Sequence, residues 1–333
     1  MTSNSWHVLK QPFLLVAFSL LFIITCHSLL IQKPNISAKR SPITECRVIP
    51  HKFGETCIPL KPQRIVTLDD GMILDPLLSV GIRPVGTATS MPGKFWGVTA
   101  DEASGIEIVG YVGEPNLEKI LTLKPDLILS HDFYHSNIYQ QLTAIAPTLP
   151  IDVVKARVSF KENLRFIAQL VGREKEAEKV IAQYQKRIEK LKEHLDNHLE
   201  GKEVSVIVHS WVNNTFLLPH STTIYFQIFN DLGIRFNSVS PIQDDFTSFS
   251  IELLNNYDAD ILFIINTNNK ASSYLFQKPM ISSLKSVKNG RAYLVDQNVW
   301  FCYGPLGINR LIDEISKYLL KAIADLVGCI SAA

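Results

Sequence analysis

The sequence of 333 residues carries almost no net charge and no basic run. Its 33 Lys and Arg are balanced by 32 Asp and Glu, which leaves a formal net charge of +1. Without a basic stripe, nucleic acid is not expected as a partner. The chain also lacks GxxxxGKS/T, GxGxxG, GxSxG and HExxH motifs, so the common nucleotide, hydrolase and zinc-protease mechanisms are not indicated. No nucleophile–base pair emerges either. We predict that the protein is not an enzyme, and an α/β enzyme stays open as an alternative.

Charge is also missing between Gln11 and Gln32, apart from His27. This apolar run follows Lys10 and precedes a polar stretch, QKPNISAKRSP. Residues 1–35 are therefore predicted to be a signal peptide or an N-terminal membrane anchor. Cys26 ends the tetrapeptide Ile-Ile-Thr-Cys, which resembles a bacterial lipobox with Thr where Gly, Ala or Ser is usual. Lipidation of Cys26, an uncleaved anchor and ordinary cleavage all remain open.

Cysteine is scarce, with five in the chain. Cys46 and Cys57 flank two strand-like runs joined by a Gly-containing turn, and this β-hairpin spacing can bring two sulfurs together. In an exported protein, this pair is predicted to form a disulfide. Cys302 and Cys329 have no evident partner in the sequence and are interpreted as small apolar residues.

Strand-like and helical runs alternate through both halves of the chain. The strand-like runs are IVTL, PVGTA, DLILS and PIDVV in the first half, then VSVIVHS, DILFII and AYLVD in the second. This alternation predicts the α/β class, with two similar α/β lobes that each have a central parallel-rich sheet. The predicted limits are 42–157 for the N-terminal lobe with its hairpin, 158–200 for a linking helical region and 201–330 for the C-terminal lobe.

The two halves share one repeated unit. The segment NLEKILTLKPDLIL, which starts at residue 116, aligns without a gap with SIELLNNYDADILF, which starts at residue 250. Glu118 then falls on Glu252, and Asp126 falls on Asp260. The repeat supports two lobes of the same kind, each with a glutamate near the start of a helical run.

A long helix is predicted between the lobes. Ser159 and Glu162 form a capping box, and Gly172 ends the helix that they begin. From about Glu174 to about His198, apolar residues recur every three and four positions. This pattern predicts one long rigid α-helix joining the lobes, which would restrict hinge motion compared with a flexible linker.

Three stretches carry a family resemblance: PQRIVTL in the first predicted strand, EPNLEKILTLKPDLIL in the first lobe and WFCYGPLGINRLIDEI near the end. Together with the hairpin ECRVIPHKFGETCIPLKPQRIV, they resemble the periplasmic substrate-binding proteins of iron–siderophore ABC importers, of the helical-backbone class. The resemblance runs from Cys46 to about Val327. It implies a monomeric periplasmic protein, with a lipid anchor or a retained N-terminal segment left open. The implied ligand is a ferric siderophore bound between the lobes, with iron held by the chelator and no cofactor. Cobalamin, haem or a bare transition metal are alternative ligands, and a membrane-anchored iron-chelate sensor is an alternative function.

The same resemblance gives the repeated glutamates a role. Such proteins dock on an ABC permease dimer with its ATPase, one lobe on each subunit, through a glutamate on each lobe. Glu118 and Glu252 are the residues that match those positions. Exposed carboxylates at helix starts gain from the helix dipole, and they fix the register of docking more than they add affinity.

The ligand cleft is expected at the carboxyl ends of the strands, where open α/β sheets bind their ligands. The expected ligand-binding residues are Trp96, Tyr134, Trp211, Trp300, Tyr303 and Arg310, with Lys94 and Arg157 as weaker candidates. An acceptor-rich iron chelate needs such donors and flat aromatic surfaces. For Arg310, an ion pair with Asp313 or Glu314 on its own helix is the alternative.

Two histidine pairs have i, i+4 spacing: His131 with His135, and His194 with His198. On a helix, this spacing could place two imidazoles on one metal ion. Neither pair has a third ligand at metal-site spacing, so no metal site is predicted.

Overall fold

The computed structural model describes residues 45–210, 215–237, 240, 246–267 and 272–331. The predictions made for residues 1–35, including lipidation of Cys26, and for Trp211 lie outside these residues. Within the described ranges, no helix is both long and apolar enough to cross a membrane.

The strands form a two-stranded hairpin and two six-stranded sheets, one sheet in each half of the chain. In chain order, the strands of the described residues are β1 Cys46–His51, β2 Gly54–Pro59, β3 Ile65–Thr67, β4 Gly86–Thr89, β5 Glu107–Tyr111, β6 Glu114–Pro115, β7 Leu127–His131, β8 Thr148–Ile151, β9 Glu203–His209, β10 Phe216–Leu218, β11 Arg235–Phe236, β12 Thr247–Phe249, β13 Ile261–Asn266 and β14 Ala292–Asp296.

Helices lie between the strands along the chain. The α-helices of the described residues are α1 Asp75–Ser79, α2 Leu117–Thr122, α3 Tyr139–Ile145, α4 Val153–Val158, α5 Phe160–Val171, α6 Glu174–Leu195, α7 Ile224–Leu232, α8 Ser272–Phe276, α9 Pro279–Ser282, α10 Lys285–Lys288, α11 Gln297–Trp300 and α12 Pro305–Ser331. A π-helical turn, Asp70–Leu74, precedes α1, and 3₁₀ turns occur at Ser136–Ile138, Asp196–Leu199 and Ile251–Tyr257.

The first sheet has the strand order β6-β5-β4-β3-β7-β8. Its strands run parallel except β6, which is antiparallel to β5. Every residue of β7 is buried, as expected for a strand covered on both faces of a parallel sheet. Because β4, β3 and β7 are adjacent and parallel, their carboxyl ends bring Ser90, Asp69 and His131 to one edge of the sheet.

The second sheet has the order β12-β10-β9-β13-β14, with β11 also paired to β9. Strands β9, β13 and β14 are parallel, whereas β10 is antiparallel to both neighbours. The predicted α/β class with two parallel-rich sheets is confirmed, and the exact limits of the lobes stay a prediction. The run PIDVV is not a strand throughout: β8 ends at Ile151, and Asp152 then caps α4 by accepting a hydrogen bond from Lys155 N at 3.0 Å.

Two helices join the sheets. Ser159 caps α5 by accepting a hydrogen bond from Glu162 N at 3.3 Å, and Gly172 ends α5 with a φ of 66°. Helix α6 spans 22 residues, or about 33 Å at the standard rise. Its first half packs on α5 and its second half enters the core under the second sheet, so one rigid element contacts both lobes. The predicted end near His198 falls in the 3₁₀ turn after α6.

The hairpin is fastened to the first lobe. Cys46 and Cys57 form the predicted disulfide, with their Cα atoms 5.5 Å apart. Closing so short a loop stabilises the fold by about 3 kcal/mol in the chain-entropy account. Arg47 Nη2 donates to the carbonyl oxygen of Gln169 in α5 at 2.8 Å, so the hairpin also contacts the linking region.

Candidate functional site

The two lobes meet where α1 of the first lobe touches α12 of the second. Asp75, in α1, has no exposed surface. Its two carboxylate oxygens accept hydrogen bonds from Leu306 N at 2.8 Å and Gly307 N at 2.9 Å. These are two of the backbone N–H groups that a helix leaves unpaired at its start, so a side chain of one lobe caps a helix of the other. Burial raises the pKa of Asp75 to about 8 despite these bonds.

Glycines let the backbones approach beside Asp75. A Cβ on Gly307 would lie 2.6 Å from Gly97 Cα, and one on Gly304 would lie 2.3 Å from Asp75 Cγ. Because no larger residue fits there without displacing its neighbours, the lobes are in close van der Waals contact at this point. We call this contact between Asp75, Gly97, Gly304 and Gly307 the interlobe seam.

Arg310 lies beside the interlobe seam. Its Nη1 is 3.0 Å from Glu102 Oε1 in the first lobe, and its Nη2 donates to the Gly97 carbonyl oxygen. Asp313 and Glu314, the alternative partners on its own helix, accept from Arg187 and Trp300 instead. In this structure, the guanidinium of Arg310 therefore holds the two lobes together, and its expected contact with the ligand stays a prediction.

A buried acid and imidazole lie at the carboxyl edge of the first sheet. Asp69 Oδ1 accepts from Met72 N and from Ile73 N at 3.1 Å, and Oδ2 is 3.3 Å from His131 Nε2. Burial raises the pKa of Asp69, but the imidazole of His131 and the two backbone bonds outweigh it and leave the pKa below its usual value. The carboxylate is therefore kept charged next to the cleft.

His135 does not form a metal site with His131. Its Nδ1 accepts from His131 N at 2.9 Å, and its Nε2 is 2.6 Å from the Val112 carbonyl oxygen. These partners require a neutral ring with the proton on Nε2, and burial lowers the pKa of His135 to about 4. Both nitrogens are thus occupied. In the part of the chain that the structure describes, no group of three or more metal-ligating side chains occurs.

Aromatic residues of both lobes come together above this edge. The ring of Trp96 in the first lobe is 5.7 Å from that of Phe301 and 6.2 Å from that of Tyr303 in the second. The guanidinium of Arg157 lies 5.9 Å from the Tyr303 ring, within cation–π distance. Tyr134 is 44% exposed, and its ring is 5.5 Å from that of His131.

Two buried nitrogen atoms in this cluster that can only donate have no hydrogen-bond partner among the described residues: Trp96 Nε1 and Arg157 Nε. Both ring nitrogens of His131 also lack a hydrogen-bond partner there. A buried donor without an acceptor costs about 1–3 kcal/mol. The cluster therefore suits a ligand that is rich in oxygen acceptors.

Trp300 is not part of this cluster. Its side chain has no exposed surface, packs 4.8 Å from the ring of Phe263 and donates from Nε1 to Glu314 Oε2 at 2.8 Å. Its only polar side-chain atom is satisfied inside the second lobe, and the expected ligand contact of Trp300 stays an untested prediction. Lys94 is exposed on the loop before Trp96.

The repeated glutamates lie at equivalent places. Glu118 is exposed in the first turn of α2, and Glu252 is exposed in the first turn after β12. Hydrogen bonds from the Ser250 hydroxyl and from its own backbone N–H lower the pKa of Glu252. The repeat thus places one carboxyl group on the surface of each lobe.

The repeated aspartates hold the backbone. Asp126 accepts from Gln63 N at 2.7 Å and from Arg64 N at 2.9 Å, before β3. Asp260 accepts from Glu203 N at 3.1 Å, at the start of β9. Both aspartates therefore fasten the first parallel strand of their sheet.

A separate cavity of about 890 Å³ lies on the first lobe. It is walled by the hairpin, the end of β8 and α5, and its lining includes Lys52, Asp132, Lys155 and Phe166. Lys52 and Asp132 face each other across 3.9 Å. No residue of the second lobe contributes to it, so this cavity is distinct from the cluster around Tyr303.

Sequence reasoning missed the interlobe seam. Asp75 lies in the run MILDPLLSV. A carboxylate inside an apolar run, just before Pro76, is the sequence signal that could have identified it. Nothing in the sequence pairs Glu102 with Arg310, which is 208 positions away.

The architecture and the cluster define a class of protein, the solute-binding proteins with two α/β lobes joined by a rigid helix. In this class, the solute binds where the loops of the two lobes meet. The chain belongs to the periplasmic binding protein family, whose sequence model matches residues 91–299.

Curated relatives align with most of the chain. The "Probable siderophore-binding lipoprotein YfiY" of Bacillus subtilis (strain 168) is 32% identical, over 91% of this chain and 98% of its own length. The "Fe(3+)-citrate-binding protein YfmC" of the same organism is also 32% identical, over 80% of this chain and 83% of its own.

Solved structures share the fold. Staphylococcus aureus SirA complexed with staphyloferrin B matches with a TM-score of 0.68 and 26% identity, over 82% of this chain and 98% of that chain. Bacillus subtilis FeuA complexed with ferri-bacillibactin matches with a TM-score of 0.67 and 22% identity, over 83% and 98%. At that lower identity, the second match supports the fold alone.

Proposed function

We propose that this protein is an extracytoplasmic solute-binding protein that captures a ferric siderophore between its lobes and delivers it to an ABC permease for iron import. The observation that carries the proposal is the pair of buried, unpartnered donors, Trp96 Nε1 and Arg157 Nε, next to Tyr303. The relatives named for siderophores and ferric citrate support the same ligand class.

The chemistry of the cluster fits an iron chelate better than free iron. A ferric siderophore presents oxygen atoms with partial or full negative charge, and the iron is already coordinated. Arg157 and Trp96 Nε1 donate to those oxygens, while Trp96, Tyr134 and Tyr303 offer flat surfaces. The protein itself then needs no metal ligands and no resident cofactor.

Delivery depends on the outer faces of the lobes. Glu118 and Glu252 contact equivalent basic pockets on the two subunits of a permease dimer, and an ATPase on the far side of the membrane drives release. Because the interlobe seam and α6 join the lobes, the spacing of the two carboxylates changes little when the ligand binds. The protein acts as a monomer, held near the membrane by its N-terminal segment, and catalyses no reaction.

Tryptophan fluorescence tests the ligand. The protein is titrated with ferric citrate, a ferric trihydroxamate, a ferric triscatecholate, cobalamin, haemin and Zn²⁺. We expect saturable quenching by at least one ferric chelate, none by its iron-free form, and loss of the signal in Trp96→Phe.

A matched pair of variants tests the site. Arg157→Gln removes the cation over Tyr303 and should weaken chelate binding about tenfold, the loss of one charge-assisted hydrogen bond. Lys155→Gln removes an exposed cation two residues away and should leave the affinity unchanged. Binding of cobalamin, haemin or Zn²⁺ alone would overturn the proposed ligand class, and equal affinity of the two variants would overturn the site.

A further inference from the structure

One carboxylate holds both ends of the loop that carries Trp96. Asp70 has no exposed surface. Its Oδ2 accepts from the backbone N–H groups of Ser90 at 2.9 Å and of Trp96 at 3.1 Å. Its Oδ1 accepts from the Ser90 hydroxyl at 2.5 Å. Residues 90–96 are therefore tied at their first and last positions to the turn that follows β3.

The next residue supports the aromatic side chains directly. A Cβ on Gly71 would lie 3.1 Å from Tyr303 Cδ2 and 3.6 Å from the Trp96 carbonyl oxygen. The backbone at Gly71 is thus in contact with Tyr303 of the second lobe and close to Trp96 of the first. Asp70 and Gly71 therefore lie directly beside the place where these two aromatic residues meet.

We propose that Asp70 is a positioning residue of the ligand site. Through three hydrogen bonds, it holds residues 90–96 so that Trp96 meets Phe301 and Tyr303 across the lobes. The role of Trp96 in ligand binding rests on the proposed function. The position of the loop does not, because it can be measured without any ligand.

Hydrogen-bond chemistry distinguishes the substitutions at this position. In Asp70→Asn, the amide oxygen can accept from both backbone N–H groups while the amide nitrogen donates to the Ser90 hydroxyl oxygen. In Asp70→Ala, both N–H groups lose their acceptor, and the loop must move to reach water. The conformation of residues 90–96 should therefore be preserved in Asp70→Asn and lost in Asp70→Ala.

Asp258 provides a matched control in the second lobe. Its carboxylate accepts four hydrogen bonds, from Lys285 N at 2.6 Å, Ser286 N at 3.3 Å, Ser286 Oγ at 2.5 Å and Ala259 N at 3.1 Å. It precedes β13, so it lies at the amino edge of the second sheet, away from the cleft. Asp258→Ala therefore removes at least as many hydrogen bonds as Asp70→Ala, without touching the site.

Hydrogen–deuterium exchange of the full chain, without ligand, measures how well the backbone amides of residues 90–96 are protected. We expect the Trp96 amide to exchange about tenfold faster or more in Asp70→Ala, as for the loss of one buried hydrogen bond. Its exchange should stay near wild type in Asp70→Asn and in Asp258→Ala. Unchanged exchange in Asp70→Ala would overturn the proposal, whether or not any chelate binds.

Fluorescence titration then measures the affinity for the ferric chelate of the panel that binds the wild type most tightly. We expect Asp70→Ala to bind about tenfold more weakly or worse, with Asp70→Asn within about threefold of wild type and Asp258→Ala unchanged. If Asp70→Ala and Asp258→Ala weakened chelate binding equally, Asp70 would contribute only to the general stability of the fold, and the positioning role would be refuted. If no chelate binds the wild type, the proposed function fails and the exchange measurement alone decides the role of Asp70.

Discussion

Replacing Asp75 by Asn tests the interlobe seam. The wild-type carboxyl group accepts one hydrogen bond at each oxygen, from Leu306 N and Gly307 N. Asn keeps the shape but offers one oxygen, and its NH₂ group then faces a backbone N–H. One buried donor of α12 loses its acceptor, which costs about 1–3 kcal/mol of unfolding free energy.

The size of this effect should depend on pH. Burial raises the pKa of Asp75 to about 8 in the folded protein, from a usual value of 3.8. A carboxyl group with a raised folded pKa stabilises the fold fully below its unfolded pKa, and that contribution is lost as the pH rises towards the folded pKa. Between about pH 4 and pH 8 the loss is about 1.4 kcal/mol per pH unit. Asn does not titrate. The difference in unfolding free energy between the wild type and Asp75→Asn should therefore shrink by that amount per pH unit.

Urea unfolding at pH 5, 6 and 7 provides the measurement, with the unfolding free energy obtained by linear extrapolation. The wild type should be more stable at pH 5 by about 1–3 kcal/mol, and the two proteins should converge or cross near pH 7. A difference that stays constant or grows with pH would show that Asp75 is ionised in the fold. The reasoning about its burial would then be refuted.

Three further predictions address the docking residues, the histidine and the disulfide. Glu118→Ala combined with Glu252→Ala should abolish chelate-dependent iron uptake by cells while leaving chelate affinity unchanged; normal uptake would contradict docking through these residues. Because burial lowers the pKa of His135 to about 4, its contribution to stability should be present above about pH 6.5 and lost as the pH falls towards 4. In His135→Gln, the unfolding free energy measured with urea should no longer show this loss between about pH 6.5 and pH 4. The same loss as in the wild type would contradict the lowered pKa of His135. Cys46→Ser with Cys57→Ser should lower the unfolding free energy by about 3 kcal/mol, measured at pH 7, and an unchanged value would mean that the hairpin is held by its other contacts.

Features that depend on local chemistry could be predicted from the sequence. The Ser159 cap and the helix end at Gly172 are both present, and Gly172 has a positive φ. The shortest strands were not predicted. Strand β6 has two residues and β10 and β12 have three, and such strands exist only through the partners that pair with them.

The loops of the site could be predicted, but the directions of their side chains could not. Trp300 and Tyr303 are three residues apart in one aromatic run, yet Trp300 turns into the core and Tyr303 meets the other lobe. The pairing of Arg310 with Glu102 was not predicted, because Glu102 lies in the other lobe. Which way a loop residue points depends on tertiary contacts that a local pattern does not contain.

The repeated unit has two parts that need different explanations. Asp126 and Asp260 fasten the first parallel strand of each sheet, so folding alone accounts for an aspartate at that position. The helix dipole favours a carboxylate at the start of a helical run, but it does not require a glutamate at the same place on both lobes, where Glu118 and Glu252 are exposed. A carboxylate that recurs at the same place on two lobes suits a partner with two equivalent surfaces, because each then meets the same cationic pocket. A permease dimer has that symmetry, and a small ligand in a single cleft does not.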